Sequence, residues 1–309
     1  MQIGQGTNTQ IDAKTLILAT RPWSFSMTAI SVTSAALLAL PTFNVWLYVV
    51  TLLGMIFAHA ATNLINDYYD VKSGVDQPDA PTAKYRPHPL VEGSLKPEHV
   101  MTESVALYGL AGLIGVYLLV LRGWPIALLA AIGGIASFTY TATPVQYKHR
   151  GLGELSVFLM WGPLMMLGSH FVQTGSFAQA SDVLWVSLPI GIWVALVLLA
   201  NNLKDIQYDR RMGAETLGTL LGREGALGLF MALVVVIYLV TVLAIVAGAL
   251  PLWSLIVFLS APQALQELRD LREAEEIPAD ADPRTAQLST RFGVLLVLSL
   301  ILNAILPLP

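Results

Sequence analysis

Long apolar runs recur along the whole chain and alternate with polar, charged loops. A helical run needs about 20 apolar residues to cross a lipid bilayer. Nine runs come close to or reach that length, and they predict an all-α polytopic membrane bundle of nine transmembrane helices. The predicted spans are residues 24–41, 44–63, 104–121, 124–142, 152–173, 183–202, 226–247, 250–265 and 291–307.

The composition agrees with a membrane protein. The chain has 309 residues, of which 55% are hydrophobic and 12% charged, and its mean hydropathy is +0.64. Soluble domains carry about 25% charged residues. The chain contains no cysteine, which excludes disulfides and thiol chemistry. Residues 1–13 are polar and are expected to be flexible, and no linker divides the chain, so a single domain is predicted over residues 1–309.

The loop charges are strongly asymmetric. If the N-terminus is cytoplasmic, all 17 Lys and Arg residues except Arg122 fall in cytoplasmic segments. All 21 Asp and Glu residues except Asp182 fall there as well. Because positively charged loops stay on the cytoplasmic side, this bias sets the orientation. We predict a multi-pass protein of the inner (cytoplasmic) membrane, with its N-terminus and its chemistry on the cytoplasmic side.

Two Asn/Asp clusters follow apolar runs on that predicted side. The first runs from Asn63 to Asp70 and is followed by Asp76; the second runs from Asn201 to Asp209. Both contain the core Asn-x-x-x-Asp. Their parent spans, the second and the sixth, are four helices apart and therefore run in the same direction. This arrangement predicts two parallel four-helix halves plus a ninth helix.

The spacing of each cluster places its Asn and Asp side chains on one helical face, at i, i+4 and i+7 or i+8. Carboxylates gathered at a membrane boundary repel one another unless a cation lies between them. Mg²⁺ is commonly bound by carboxylates together with substrate phosphates, so two Mg²⁺ ions carrying a diphosphate are predicted. The predicted metal ligands are Asp67, Asp70, Asp76, Asp205 and Asp209. Alternatively, these aspartates cap helix ends and pair with loop cations, but the repetition of the cluster on one side argues against that.

A departing diphosphate gains negative charge, which nearby cations and hydrogen-bond donors stabilise. The predicted diphosphate-binding residues are Asn63, Asn201, Lys72, Arg86 and Lys148, although the positive-inside rule also explains loop cations. Tyr140 is predicted to shelter a carbocation by cation–π attraction. The predicted catalytic residues are therefore Lys72, Arg86, Tyr140 and Lys148. Arg21 either meets an acceptor carboxylate or anchors the first helix.

These motifs resemble those of the UbiA-type membrane prenyltransferases. The matching residues are Asn63-x-x-x-Asp67-x-x-Asp70 with Asp76, Asn201-x-x-x-Asp205-x-x-x-Asp209, and Arg86-Pro87-His88-Pro89 followed by Gly93. Within that family the chain is most similar to the 1,4-dihydroxy-2-naphthoate polyprenyltransferases, through Arg21–Phe25, Tyr140–Glu154 and Phe158–Gly175. The resemblance covers most of residues 20–225. The chain has Gly74 where many relatives have a third Asp, so Asp76 is expected to serve instead.

The resemblance implies Mg²⁺-dependent transfer of a polyprenyl group from polyprenyl diphosphate to an aromatic quinone precursor, most simply 1,4-dihydroxy-2-naphthoate in menaquinone biosynthesis. The partners implied are these two substrates and the lipid bilayer, with no nucleic acid. Other aromatic acceptors, such as 4-hydroxybenzoate, homogentisate or a tetrapyrrole, stay open, as do tail length and oligomeric state.

Two other classes of membrane protein were weighed. An ion-coupled secondary transporter is disfavoured because the carboxylates lie at one membrane face and the halves are parallel. A CDP-alcohol phosphotransferase would need an Asp-Gly-x-x-Ala-Arg signature, which the chain lacks.

Overall fold

The computed structural model describes residues 12–40, 42–81 and 87–308, and that part of the chain is helical, with no β-strand. The helices are α1 Ala13–Ala19, α2 Phe25–Leu38, α3 Val45–Ser73, α4 Pro97–Arg122, α5 Trp124–Thr139, α6 Gly153–Thr174, α7 Ala180–Met212, α8 Leu217–Val246, α9 Ala261–Glu273 and α10 Ala281–Ile305. Short 3₁₀ segments cover Pro22–Ser24, Tyr147–His149 and Leu252–Ser260. The all-α prediction is confirmed.

Within the described ranges, six helices are long and apolar enough to cross a membrane: α3, α4, α6, α7, α8 and α10. Three other predicted spans correspond to shorter elements. Residues 24–41 contain α2, residues 124–142 contain α5, and residues 250–265 contain a 3₁₀ segment that leads into α9. The count of nine spans is therefore not confirmed, and it stays a prediction together with the parallel halves.

The two helices that carry the Asn/Asp clusters are longer than predicted. Helix α3 has 29 residues and α7 has 33, against about 20 needed to cross a bilayer. Each ends before a glycine in the left-handed region, Gly74 with φ 78° and Gly213 with φ 71°. Glycine adopts this conformation without a Cβ clash. Both clusters thus lie on the final turns of rigid helices. We call this end of the bundle the motif end.

Two predicted irregular segments are partly described. The long loop expected over residues 71–103 covers residues 74–96, because α3 runs to Ser73 and α4 begins at Pro97. Residues 82–86 of that loop lie outside the described residues. The N-terminal segment predicted to be flexible also falls mostly outside them. Of its last two residues, Asp12 caps α1 and Ala13 begins it, and the Asp12 side chain accepts from Lys14 N at 3.1 Å.

Helix α7 is the central helix of the bundle. In its most apolar stretch 67% of the residues are buried, against 11% for α4. Trp193 of α7 packs 5.9 Å, ring centre to ring centre, from Phe292 of α10. On α4, by contrast, Leu113 and Val120 are 69% and 79% exposed. Such an apolar outer face requires a lipid environment, since water would not cover it favourably.

Helices α6 and α7 cross at two glycines. A Cβ on Gly191 would lie 2.6 Å from the Phe158 carbonyl oxygen, and one on Gly162 would lie 2.8 Å from that of Ser187. Small residues allow such close helix approach in membranes. Next to the crossing, Pro163 has no N–H to donate, and a π-helical turn over Met160–Leu164 accommodates it.

We expect Gly191→Ala to lower the thermal stability of the protein in detergent micelles, because the added methyl group overlaps backbone atoms of α6. Overpacking of this kind costs about 1–3 kcal/mol. The matched control is Gly109→Ala on α4, where a Cβ meets nothing within 4 Å. That control is expected to keep or slightly raise the melting temperature, as Ala favours helix by about 0.5–1 kcal/mol. Equal melting temperatures for the two variants would contradict the close crossing.

Candidate active site

A cavity of about 1520 Å³ runs through the bundle from the motif end. Small-molecule sites usually have volumes of about 300–1,000 Å³, so this one is large. Thr51 and Asp70 of α3 both line it. These two residues are separated by about 28 Å along the helix axis, so the cavity spans most of the bilayer core. The inner walls are mainly aliphatic, with residues such as Ile114, Leu129 and Leu164, whereas polar side chains concentrate at the motif end.

The two Asn/Asp clusters meet at this cavity. Among the predicted ligands and diphosphate-binding residues, the following line it: Asn63, Asp70, Asp76, Lys148, Asn201, Asp205 and Asp209. The Tyr208 hydroxyl of α7 donates to the Val75 carbonyl oxygen at 2.6 Å, which ties the second cluster to the loop after the first. The structure therefore brings together the two clusters that the sequence pattern placed on one side.

Asp67 lies buried beside the cavity and forms an ion pair with Arg21. His88 Nε2 lies 3.8 Å from the Asp67 carboxylate and 3.0 Å from that of Asp76. The potential ligand atoms of Asp67, Asp76 and His88 are all within 4.8 Å of one another. Burial lowers the pKa of the Arg21 guanidinium, but the carboxylates of Asp67 and Asp76 raise it by more, so Arg21 stays charged.

Asp70 is neutralised by groups of the loop between α5 and α6. Lys148 Nζ donates to Asp70 Oδ2, and His149 Nε2 lies 3.1 Å from Oδ1. Asn66 Nδ2 donates to Oδ2 at 3.0 Å, and its own Oδ1 accepts from Lys148 at 2.9 Å. Hydrogen bonds to a charged group are about twice as strong as neutral ones. A backbone bond of 2.7 Å from Gly151 N to the Glu215 carbonyl oxygen holds this loop against the one after α7.

The second cluster has a different electrostatic environment. Asp209 accepts a 3.3 Å hydrogen bond from Thr216 Oγ1, and among the described residues it forms no ion pair. The Lys148 ammonium attracts its carboxylate without pairing directly with it, whereas the carboxylates of Asp70 and Asp76 repel it. Asn201 Oδ1 accepts from Lys204 Nζ at 3.0 Å. This side of the cavity therefore offers a carboxylate that protein cations do not directly neutralise.

The predicted catalytic residues are placed unequally. Lys148 Nζ lies 5.8 Å from the ring centre of Tyr140, and both residues line the cavity. Lys72 is exposed and does not line the cavity; its ammonium lies 5.6 Å from the Tyr68 ring centre. Arg86 lies outside the described residues.

Four site residues were absent from the predicted set: Arg21, Asn66, His88 and His149. Asn66 carries a usable signal, because Asn66 and Asp70 are at i and i+4, the same spacing that selected Asn63. His149 directly follows the predicted Lys148. The positions of Arg21 and His88 depend on how distant segments fold back onto α3, which periodicity along one helix does not encode.

The site is rich in oxygen ligands suited to a hard divalent cation. Five aspartates line one cavity, four from the two clusters and Asp282, and their mutual repulsion is strong in a poorly solvated space. Cations of Arg21 and Lys148 are close enough to stabilise an anion bound between the clusters. The long aliphatic cavity behind them suits an apolar chain. The arrangement can therefore hold an amphiphile with an anionic, metal-bound head and an extended tail.

Sequence comparison finds a match to the model of the UbiA prenyltransferase family over residues 26–280. The 1,4-dihydroxy-2-naphthoate octaprenyltransferase of Bacillus subtilis (strain 168) is 32% identical over 289 residues, which cover 92% of this chain and 91% of that protein.

Solved structures share the fold. An apo UbiA homolog from Aeropyrum pernix K1 matches with a TM-score of 0.70 at 17% identity, covering 90% of this chain and 98% of that one. A UbiA homolog from Archaeoglobus fulgidus bound to GPP and Mg²⁺ matches with a TM-score of 0.67 at 14% identity, covering 93% and 99%.

The two clusters should respond differently to neutralisation when no metal is present. Asp70→Asn leaves Lys148 and His149 beside the cavity without their carboxylate, so we expect the free energy of unfolding to fall by about 3 kcal/mol. Asp209→Asn removes a buried charge that forms no ion pair with the described residues, and it is expected to leave stability unchanged or higher. Melting temperatures in detergent with a chelator would measure both. An Asp209→Asn variant as unstable as Asp70→Asn would contradict this difference between the clusters.

Proposed function

The chain belongs to the UbiA prenyltransferase family, and we propose that it transfers a polyprenyl group from polyprenyl diphosphate to 1,4-dihydroxy-2-naphthoate. One observation carries the proposal: two acidic clusters meet at one end of a long aliphatic cavity. That end suits a diphosphate, and the remainder suits its tail. The naphthoate acceptor is supported by the name of the Bacillus subtilis relative, and it would place the protein in menaquinone biosynthesis.

In this proposal the clusters hold the donor from two sides through two Mg²⁺ ions. The ligands would be Asp70 and Asp76 on one side and Asp205 and Asp209 on the other, with Asp67 beside them. Magnesium, when bound, would neutralise the diphosphate and favour its departure. The Archaeoglobus fulgidus homolog bound to GPP and Mg²⁺ supports this mode of binding.

Cations of the chain would stabilise the leaving group. Lys148 forms an ion pair with Asp70. Because the Lys148 ammonium lines the cavity beside Asp70, it would lie close to a bound diphosphate and would stabilise the negative charge that develops there. Arg21, which pairs with Asp67 and also lines the cavity, would contribute as well. Arg86 is retained as a predicted partner, whereas Lys72 lies outside the cavity and is left out.

The remaining walls would control the reaction of the allylic cation. Tyr140 presents a neutral ring near Lys148, and a ring face attracts a cation. The aliphatic cavity excludes water, which would otherwise capture that cation. The carbon–oxygen bond of the donor breaks, a carbon–carbon bond to the acceptor ring forms, and the ring carboxylate leaves as carbon dioxide. Diphosphate carries away the bonding electron pair.

We further propose that the motif end faces the cytoplasm. All Lys and Arg residues except Arg122 then fall on the cytoplasmic side, as the positive-inside rule requires. The enzyme would be a multi-pass protein of the inner membrane, with one domain over residues 1–309 and two parallel halves.

Product mass spectrometry tests the function. Purified protein with Mg²⁺, a mixture of aromatic acceptors and polyprenyl diphosphates of several lengths is expected to yield prenylated naphthoquinol, formed with loss of the carboxylate. A chelator should stop turnover and added Mg²⁺ should restore it. Prenylation of a different acceptor alone would overturn the choice of dihydroxynaphthoate, and no prenylated product at all would overturn the proposed function.

Single substitutions test the metal ligands. Asp67→Asn and Asp205→Asn are each expected to reduce turnover at least about a hundredfold, because a lost contact to the metal-bound diphosphate weakens the transition state by several kcal/mol. Size-exclusion profiles should show that both variants remain folded. Asp182→Asn, on the predicted opposite side of the membrane, is the control and should retain activity. Near-normal turnover of both motif variants would mean that the clusters are structural.

A further inference from the structure

A polar and aromatic recess in the cavity wall begins at Asn63, the first residue of the first cluster, and extends deeper into the bundle. Ser24, His59, Asn63 and Trp161 line it, and we call these residues the His59 niche. Phe25 packs against the His59 ring from behind. His59 is only 7% exposed and lies on the membrane-spanning helix α3. Ionisable residues inside membrane bundles are costly and usually functional, and the proposed donor chemistry uses no part of His59 or Trp161.

A chain of hydrogen bonds fixes the orientation of the His59 ring. Trp161 Nε1 donates to Thr28 Oγ1 at 3.1 Å, and Thr28 Oγ1 lies 2.9 Å from His59 Nδ1. If the Thr28 hydroxyl donates to Nδ1, the ring proton lies on Nε2 and points to Ser24 Oγ, 3.3 Å away. We assign this tautomer because every donor in the chain then has an acceptor. The imidazole is thus held by partners at both nitrogens.

Asn63 connects the niche to the motif end. Its Nδ2 donates to the Thr20 carbonyl oxygen at 2.9 Å and to Ser24 Oγ at 3.3 Å. Because a backbone carbonyl can only accept, this bond fixes the amide orientation. The Asn63 Nδ2 donors are thus already engaged and are not spare for a phosphate. Its Oδ1 is the atom suited to accept a hydrogen bond from a ligand hydroxyl group.

The ring geometry suits a flat aromatic ligand. The His59 and Trp161 rings are 4.8 Å apart at 76°, and those of His59 and Phe25 are 5.4 Å apart at 62°. Edge-to-face pairs of this kind are favourable and leave ring surfaces available to a further ring. Along α3, His59 lies about 12 Å from Asp67, on the tail side of the proposed diphosphate site. A ring held there lies beside the path of the prenyl tail, near its diphosphate end.

We propose that the His59 niche is the binding subsite for the aromatic acceptor, which makes His59 and Trp161 determinants of acceptor specificity. A hydroxylated aromatic ring packs against Trp161 and His59 and donates a phenolic O–H to Asn63 Oδ1. Thr28 is a positioning residue, because it orients both rings without lining the cavity. This inference rests on the proposed function, and it assigns the acceptor a place that the acidic clusters do not provide.

The test measures KM separately for the acceptor and the donor. His59→Gln and Trp161→Leu are each expected to raise the acceptor KM about tenfold, the effect of one lost hydrogen bond or ring contact, with little change in the donor KM. His170→Gln is the control, because His170 is also buried in the bundle but does not line the cavity. It should leave both KM values near those of the wild type.

A matched pair at Thr28 isolates the hydrogen-bond chain. Thr28→Val keeps the side-chain shape but removes the hydroxyl, so it should raise the acceptor KM, whereas Thr28→Ser should restore it. This pair decides the question if the His59 variant fails to fold. Unchanged acceptor KM values, or equal rises for donor and acceptor, would overturn the subsite.

Failure of the subsite and failure of the proposed function give different results. If the wild-type protein prenylates no aromatic acceptor, the proposed function itself is wrong. If it prenylates an acceptor but the niche variants leave that acceptor's KM unchanged, only the subsite is wrong. The kinetic test uses whichever acceptor the wild-type protein prenylates.

Discussion

Like charges at the motif end are the constraint on which the site depends. Aspartates from two helices line one cavity, where water does little to screen them. The chain opposes this repulsion with cations from segments distant in sequence. Arg21, ahead of α2, meets Asp67, and Lys148, after α5, meets Asp70. The segments that connect the helices therefore supply the positive charges of the site. The backbone hydrogen bonds that hold these segments in place help to position those charges.

Protein cations pair with the aspartates of the two clusters to different extents, and this difference affects what each cluster can bind. The first cluster is largely paired with protein cations, whereas Asp209 of the second accepts a hydrogen bond from Thr216 and forms no ion pair with the residues that the structure describes. A ligand that brings positive charge would compensate the Asp209 carboxylate directly. At the first cluster it must displace existing pairs, which frees Lys148 and Arg21 to meet an anion. Metal and anion binding are thereby linked in the proposed mechanism.

Helical periodicity predicts which cluster residues share a face, but not every contact of the candidate site. Spacings of i and i+4 placed the cluster residues on one face of each helix, and the helices extend far enough to support that prediction. Lys148 was predicted from its loop and does meet Asp70. Lys72 was misplaced because its position shortly after Asp70 puts it on another face of α3, against Tyr68. The pairing of Arg21 and the approach of His88 to Asp67 could not be predicted, since both depend on chain reversals that no single helix pattern contains.

The sparse packing of α4 has a mechanical consequence. Gly112 and Val116 line the cavity on this helix, yet only 11% of the residues in its most apolar stretch are buried inside the protein. One wall of the reaction chamber is therefore supported from outside by acyl chains, and lateral pressure in the bilayer contributes to the chamber's width. The surrounding lipid acts as a structural component of the enzyme, so its catalytic behaviour in micelles and in bilayers need not be the same.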